Sequence, residues 1–407
     1  MFLKEAQGAN LISATSDKFL LYDAYCKHLL QSKENKRLTD INVLTLDDLQ
    51  ILLENLREDG HALIAPQLQD GVIVYDQVEG LDALPRGITD IQTPGGYQTH
   101  KTEAPSLFHY VVGPHSWKKF LHLPKLQLWR ANKHSEEIHI TPPEPPSVKT
   151  AFIGVRACEV KAIALQDKVL IHSGVVDGAY KIRRDNAFIL AVDCARAGGS
   201  CFCVSMQSGP SVEGNYDLAL TEILTPNHIF LVRSNSEAGE KILKKIPHRS
   251  ATPEEIETGQ EIVAQTAANM GRAMPDTNIA RLLSQNLQHP HWDTIASRCL
   301  SCANCTMVCP TCFCTTVEDV SDLKMEEFSR ERRWDSCFNL DFSYLHGGAA
   351  RGSTAARYRQ WMTHKLSSWV DQFGASGCVG CGRCITWCPV GIDLTQETKV
   401  IYDDQLG

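Results

Sequence analysis

Two short cysteine runs restrict the fold and chemistry of this chain more than any other feature of its 407 residues. The segment RCLSCANCTMVCP occupies residues 298–310, and GCVGCGRCITWCPV occupies residues 377–390. In each run three cysteines are separated by two residues, and a fourth follows after three more, directly before a proline. A loop with this spacing can present three thiolates to one inorganic centre. Both runs therefore predict a metal–sulfur site.

The composition narrows the class of protein further. The net charge of −8 argues against a general nucleic-acid binder, which normally carries a basic surplus. No apolar stretch approaches the roughly 18 residues of a membrane span, and the N-terminus shows no secretory signal. We therefore expect a cytoplasmic chain, and because disulfides are rare in the cytoplasm, its 16 cysteines need another use. Metal ligation and redox chemistry remain as the uses for so many thiols.

Zinc and iron–sulfur clusters are the two centres that thiolate ligands favour. Zinc sites close at four ligands and typically use two Cys-x-x-Cys pairs. The third evenly spaced cysteine and the terminal Cys-Pro, present twice, favour two [4Fe-4S] clusters, with zinc as the alternative.

The runs resemble those of bacterial two-cluster ferredoxins, in which the fourth cysteine of each run ligates the other cluster. That resemblance implies one cluster held by Cys299, Cys302, Cys305 and Cys388, and a second held by Cys378, Cys381, Cys384 and Cys309. The long insert, residues 310–377, departs from the ferredoxin pattern. If the insert held the runs apart, each run would bind its cluster alone.

The chain before the runs has the pattern of an α/β protein. Residues 46–59 have a helical period, and two strand-like segments follow them. Beyond the proline-rich TPPEPP (141–146), a predicted linker, apolar segments alternate with a helix-like segment at 159–170. The predicted strands there are residues 150–157, 187–193, 217–223 and 228–234. This order predicts a sheet with at least partly parallel pairing. After the last strand, residues Thr252 to Glu255 predict a capping box that begins a helix extending towards Met274.

We therefore predict three regions. Residues 1–145 form a mixed α/β region whose function the sequence does not indicate. Residues 147–290 form an α/β domain. Residues 291–407 form a mostly helical and loop domain of the two-cluster ferredoxin type, with the long insert inside it.

A second group of cysteines lies in the α/β domain. Cys158 follows one predicted strand and Cys194 follows another, while Cys201 and Cys203 lie in the next loop. Because loops after neighbouring parallel strands meet at one edge of a sheet, the four could hold a third cluster. The alternative is four separate buried thiols. Cys312, Cys314 and Cys337 are one short of a cluster set, so we expect packing or secondary contacts, and Cys26 is interpreted as a core residue.

Other side chains carry weaker signals. Residues 324–365 contain 8 basic and 5 acidic residues, and Arg332, Arg333, Arg357 and Arg359 either approach a cluster or partner or form a solvated helical face. His109, His115 and His122 are interpreted as structural histidines. No dinucleotide, Walker or hydrolase motif is present, so no catalytic residue is assigned.

Ordered motifs between residues 150 and 400 carry a narrower resemblance. GVRACEVKAI, YKIRRDNAFILAVDC, CFCVSMQSGP and DLALTE precede CPTCFC, RRWDSC, an HK pair and GCVGCGRCITWCP. Together they resemble the β subunits of cytoplasmic NAD(P)-linked [NiFe]-hydrogenases, including the sulfhydrogenases. The A subunit of anaerobic sulfite reductase is similar.

The resemblance implies a non-catalytic electron-transfer subunit in a heteromeric complex. Its partners would be the [NiFe]-hydrogenase large and small subunits and a flavin subunit that binds NAD(P), with no nucleic acid and no membrane span. Three alternatives stay open: the sulfite reductase subunit, a protein that uses its clusters only structurally, and a stand-alone oxidoreductase with its own flavin.

Overall fold

The computed structural model describes residues 41–134, 137–142 and 148–406. Cys26, interpreted above as a core residue, lies outside these ranges, as does most of the predicted linker at 141–146. No helix among the described residues is long and apolar enough to cross a membrane.

The strands of the described chain are numbered in chain order. They are β1 (Asn42–Leu44), β2 (His61–Gln69), β3 (Val72–Val78), β4 (Ile88–Thr93), β5 (Gly96–Lys101), β6 (Lys125–His134), β7 (Glu137–Thr141), β8 (Lys149–Arg156), β9 (Ala187–Val192), β10 (Leu218–Ile223), β11 (Ile229–Ser234), β12 (Arg249–Ser250), β13 (Thr315–Ser321), β14 (Glu327–Trp334), β15 (Tyr344–Leu345) and β16 (Gly348–Ala349).

The α-helices are numbered in the same way. They are α1 (Leu46–Glu58), α2 (Lys118–Leu121), α3 (Ala157–Leu170), α4 (Gly178–Asp185), α5 (Glu237–Leu243), α6 (Pro253–Ala268), α7 (Ile279–Gln285), α8 (His291–Arg298), α9 (Asn304–Met307), α10 (Thr354–Thr363), α11 (Trp369–Phe373), α12 (Arg383–Thr386) and α13 (Leu394–Leu406). A π-helical turn, His364–Ser368, joins α10 to α11.

Within the described residues, the main sheet has eight strands in the order β12-β1-β11-β10-β9-β8-β2-β3. Its middle strands β10, β9, β8 and β2 pair in parallel, and the remaining pairs are antiparallel. The prediction of partly parallel pairing is confirmed. Since β2 precedes the proline-rich segment and pairs with β8 after it, the predicted boundary near residue 146 does not separate two sheets. The three-region division stays a prediction.

Alternating side chains of the middle strands fill two cores on opposite faces of the sheet. Leu190 and Val192 of β9 face a core that includes leucines of α1, while Ile189 and Ala191 face a second core shared with α3. Burying one such aliphatic side chain stabilises the fold by about 1.5–3 kcal/mol. Together with the helices α7 to α13 that follow in the chain, this sheet confirms the predicted α/β region followed by a helical C-terminal part.

Local signals position several helices. At the start of α6, the Thr252 hydroxyl accepts a hydrogen bond from the Glu255 backbone N–H, and Pro253 occupies the first turn. This capping box is the one the sequence predicted, although the helix ends at Ala268 and not near Met274. A second box, between Thr45 and Asp48, begins α1.

The insert between the cysteine runs contains a hairpin that the sequence pattern did not predict. Its strand β14 pairs with β6 of the first region, giving a four-stranded sheet in the order β13-β14-β6-β7 among the described residues. The hairpin leaves at Thr315 and returns at Trp334, and these two residues are direct partners. Residues 315–334 therefore add length to the insert without separating its ends.

Candidate iron–sulfur site

Three cysteines of the first run and two of the second line one cavity. Its cysteine lining is Cys299, Cys302, Cys305, Cys384 and Cys388. Aromatic and aliphatic side chains, among them Phe338 and Trp361, form the rest of the wall. The volume of about 30 Å³ exceeds the roughly 10–15 Å³ that one water molecule needs. The cavity thus offers thiols and an apolar surround, which suits an iron–sulfur cluster.

Backbone amides in this cavity point at sulfur atoms. The Ser301 N–H donates to Cys299 Sγ at 3.4 Å, and the Ile392 N–H donates to Cys388 Sγ at 3.3 Å. Amide hydrogen bonds stabilise the negative charge of a thiolate ligand and are among the features that set cluster potentials. Cys302 is exposed, so this cavity lies close to the protein surface.

Three cysteines of the second run, Cys378, Cys381 and Cys384, lie near Cys309, the last cysteine of the first run. Burial raises the pKa of the Cys384 thiol, and Cys378, Cys381 and Cys309 raise it further. The Gly380 N–H donates to Cys378 Sγ at 3.4 Å, as Ser301 does in the first cavity. The structure therefore places Cys378, Cys381 and Cys384 near Cys309, and the ligand sets that the ferredoxin resemblance implied stay a prediction.

A third cavity lies at the carboxyl edge of the parallel strands. Cys158 lies in the first turn of α3, directly after β8, and Cys194 follows the neighbouring strand β9. Both line a cavity of about 30 Å³ with Cys201 and Cys203. Burial and the nearby Cys194 raise the pKa of the Cys201 thiol to about 12. The four cysteines grouped from the sequence therefore face one space instead of lying in separate places.

The second run lies between the other two sites. Its Cys384 lines the first cavity, and its Cys381 lines the third. The contact with the third site needs glycine, because a Cβ on Gly380 would stand 2.6 Å from the Phe202 carbonyl and one on Gly382 would stand 2.3 Å from the Ser200 carbonyl oxygen. Both glycines also have positive φ, 62° and 74°. The loop between ligands is thus shaped to lie against residues 200–203.

Burial keeps most of these thiols protonated in the absence of a compensating charge. It raises the pKa of Cys305 well above its ordinary value and that of Cys378 to about 12. A cationic iron centre reverses this preference, because ligation stabilises the thiolate and releases the proton. The donor set therefore fits clusters better than free nucleophilic thiols.

Two buried lysines lie near Cys309, the last cysteine of the first run. Lys365, in the π-helical turn, donates to Cys309 Sγ at 3.2 Å, to Thr311 Oγ1 at 3.0 Å and to the Gly377 carbonyl at 3.3 Å. Burial alone would lower the pKa of Lys365, but the neighbouring Cys309 and Cys312 outweigh it and raise that pKa. Lys118 contacts the Thr306 carbonyl at 3.5 Å.

The three cysteines left over from the runs lie beside these lysines. The Cys312 thiol donates to Cys309, and the Cys337 thiol donates to Cys314. The hydrogen bond from Cys337 lowers the pKa of Cys314 to about 7 against the effect of burial, with help from Lys365. These contacts agree with the secondary role that the sequence suggested for Cys312, Cys314 and Cys337.

A buried carboxylate joins the second run to the α/β region. Glu159, in the first turn of α3, accepts hydrogen bonds from the Tyr75 hydroxyl at 2.5 Å and the Trp117 indole at 3.1 Å. It also pairs with Arg383, which lies between Cys381 and Cys384, at 2.6 Å. Both partners of this ion pair are buried. Such a pair fixes the position of the cysteine loop against the sheet.

The four arginines singled out from the sequence make different contacts. Arg357 donates to Ser301 in the first run at 3.2 Å. Arg332 and Arg333 lie on a strand and pair with Asp177 and Glu318, and Arg359 donates to a backbone carbonyl. A single helical face does not describe this segment, because residues 327–334 form β14 while residues 354–363 form α10.

The histidines lie apart from the cysteine sites. His109 faces Glu222 at 3.8 Å, and His122 stacks on Trp334. Among the residues that the structure describes, no three His, Cys, Asp or Glu side chains are arranged around a single metal ion. The cysteines line cavities instead.

Comparisons with known proteins define the class. Residues 298–392 match the 4Fe-4S dicluster domain, so the C-terminal part is a two-cluster iron–sulfur domain. Over 262 residues the chain is 31% identical to sulfhydrogenase 2 subunit beta of Pyrococcus furiosus, a match that covers 64% of this chain and 75% of that protein. No solved structure matches the chain. The chain belongs to the family of hydrogenase β-type iron–sulfur subunits, and is an iron–sulfur electron-transfer subunit.

Sequence reasoning missed Lys365, Lys118 and the Glu159–Arg383 pair. Lys365 stands in the HK pair that formed part of the family resemblance, and that was its only signal. Arg383 lies inside a cysteine run, where the spacing of the thiols carries no information about the charged residue between them.

Proposed function

We propose that this chain carries electrons between a [NiFe]-hydrogenase catalytic part, with large and small subunits, and a flavin subunit that binds NAD(P). The observation that supports this role most directly is the succession of three adjoining cysteine sites. One run contributes cysteines to the walls of both outer cavities. Adjacent cluster sites are what stepwise electron transfer through a protein requires.

We assign the ligands as follows. The first cluster is held by Cys299, Cys302, Cys305 and Cys388, and the second by Cys378, Cys381, Cys384 and Cys309. Cys158, Cys194, Cys201 and Cys203 hold a third. The support is the shared cavity lining of the first and third sets and the mutual influence of the second set. [4Fe-4S] clusters supply one-electron chemistry over a wide range of potentials.

The protein residues supply position and charge. Amide groups of Ser301, Gly380 and Ile392 donate to ligand sulfurs, and the apolar wall of the first cavity limits water. The exposure of Cys302 supports the first site as one terminus of the path, where a partner could exchange electrons at the surface. A cytoplasmic location belongs to the same proposal, since the described cysteines carry no disulfide and a reducing compartment keeps thiols free.

Anaerobic purification of the native complex tests the proposal. We expect nickel in the assembly, reduction of viologen or NAD(P) with hydrogen, and about twelve irons in this chain, four for each of three cubanes. Cys203→Ser should lower the count to about eight. A wild-type count of about eight would remove the third cluster from the proposal. Sirohaem in place of nickel would assign the chain to a sulfite reductase, and clusters that resist reversible reduction would indicate a structural role.

A further inference from the structure

Lys365 is a buried cation whose surroundings contain sulfur and neutral oxygen groups. Its ammonium donates to Cys309 Sγ, to a threonine hydroxyl and to a backbone carbonyl. Within the described ranges it forms no ion pair with a carboxylate, whereas the equally buried Arg383 is neutralised by Glu159. An ammonium that is buried without a counter-charge is strongly destabilising. The charge of Lys365 is therefore balanced by the sulfur ligand beside it.

The first cavity contains no equivalent contact. Its hydrogen-bond donors to sulfur, among the described residues, are the backbone amides of Ser301 and Ile392. The nearest arginine contact is indirect, because Arg357 donates to the Ser301 hydroxyl and not to a ligand sulfur. The two proposed ligand sets thus differ by one uncompensated positive charge at a ligand sulfur, that of Lys365 beside Cys309.

We infer that Lys365 is a positioning and charge-tuning residue that makes the second cluster easier to reduce than the first. The inference rests on the proposed function, because it requires Cys309 to ligate that cluster. Reduction adds one negative charge to a cluster, so a fixed cation at a ligand sulfur stabilises the reduced form. Burial strengthens this effect, because solvent does not screen the interaction. The second cluster then holds electrons in the middle of the path.

Potentiometric titration of the anaerobic full-length protein, followed by electron paramagnetic resonance, tests this inference. Lys365→Met should raise the ratio of oxidised to reduced second cluster roughly tenfold or more at the potential that half-reduces the wild type. The first cluster should change by less than about threefold. Lys365→Arg, which keeps the charge, should stay close to wild type. Lys399→Met is the matched control, since Lys399 is exposed and pairs with Asp403.

Two further variants assign the second cluster and separate the effect of the charge from that of the hydrogen bonds. The transition that disappears in Cys309→Ser identifies the second cluster, and Lys365→Gln provides a neutral variant that keeps hydrogen bonding. Iron and acid-labile sulfide are counted in each sample. An unchanged second transition in either neutral variant overturns the inference. So does a cluster that assembles with arginine but with neither neutral residue, because the lysine would then serve assembly. Absence of two reducible clusters from the wild type would instead contradict the proposed function.

Discussion

In the α/β region, two hydrophobic cores cover the faces of an eight-stranded sheet of described residues, whereas the region after His291 is built from short helices around cysteines. Helices α9 and α12, which carry cysteines of the two runs, have four residues each. A helix of this length has no stability of its own in water. The sheet is therefore ordered by apolar burial alone, whereas the short cysteine-bearing helices depend on an apolar core that includes the cysteines and on what the thiols bind.

The two regions are nevertheless joined by specific polar contacts. Arg383 of the second run pairs with Glu159 of the sheet region, and Phe202 donates from its N–H to the Gly380 carbonyl at 2.8 Å. Strand β14 of the insert pairs with β6 of the first region and so extends the sheet formed by β6 and β7. The comparison teaches that the cluster region takes its position from the α/β region, while its internal order comes from its own apolar core together with its cysteine ligands.

Replacing a cysteine that ligates the cluster of the other run should have the largest effect. That effect should be confined to the cluster region and leave the α/β region intact. We expect Cys388→Ser to lose the cluster of Cys299, Cys302 and Cys305, and Cys309→Ser to lose the other, about four irons in each case. Metal analysis and electron paramagnetic resonance measure this, while far-ultraviolet circular dichroism should show the sheet retained. Cys337→Ser is the control with unchanged iron. Loss of the second cluster in Cys388→Ser would show that each run binds alone.

Breaking the ion pair between the regions should have the next largest effect. Glu159→Gln leaves Arg383 buried without its counter-charge, so we expect a loss of about 3–5 kcal/mol in the free energy of unfolding. Anaerobic thermal denaturation, monitored at the sheet and at the cluster absorption, checks it. The exposed Glu257→Gln should change stability by no more than about 0.5 kcal/mol. Equal stability of the two variants would mean that the regions are joined by other contacts.

Acid should weaken the contact between β14 and the first region by a smaller amount. Burial, followed by Arg332 and Lys118, lowers the pKa of His122 from 6.5 to about 4. The unfolded chain binds this proton first, so stability is lost as pH falls from about 6.5 toward 4. Between pH 7.5 and 5.5 the loss should be about 1 kcal/mol, measured as a fall in thermal stability.

His122→Phe should remove that part of the pH dependence, because phenylalanine preserves the stack on Trp334 without titrating. His100→Phe, at an exposed position of β5, should leave it in place. A pH profile of His122→Phe identical to that of the wild type would exclude His122 as the group responsible.

Much of this arrangement follows from local sequence patterns such as residue spacing and apolar segments. The spacing of the two runs predicted the dicluster domain because short loops impose ligand geometry. Apolar β-branched segments predicted β8 to β11, and the Thr252 capping box predicted the start of α6. The grouping of Cys158, Cys194, Cys201 and Cys203 followed from one topological rule, that neighbouring parallel strands end at the same edge.

Contacts between distant segments were decided only by tertiary structure. The charge beside Cys309 comes from Lys365, and the carboxylate that holds Arg383 comes from a helix more than 200 residues away in the chain. Strands β13 and β14 are polar and largely exposed, so their pairing with β6 leaves little hydrophobic pattern. The sequence by itself determined which thiols are available as ligands, because spacing is local. Folding decided which cations and carboxylates surround them, because electrostatic interactions depend on distance in space and on burial.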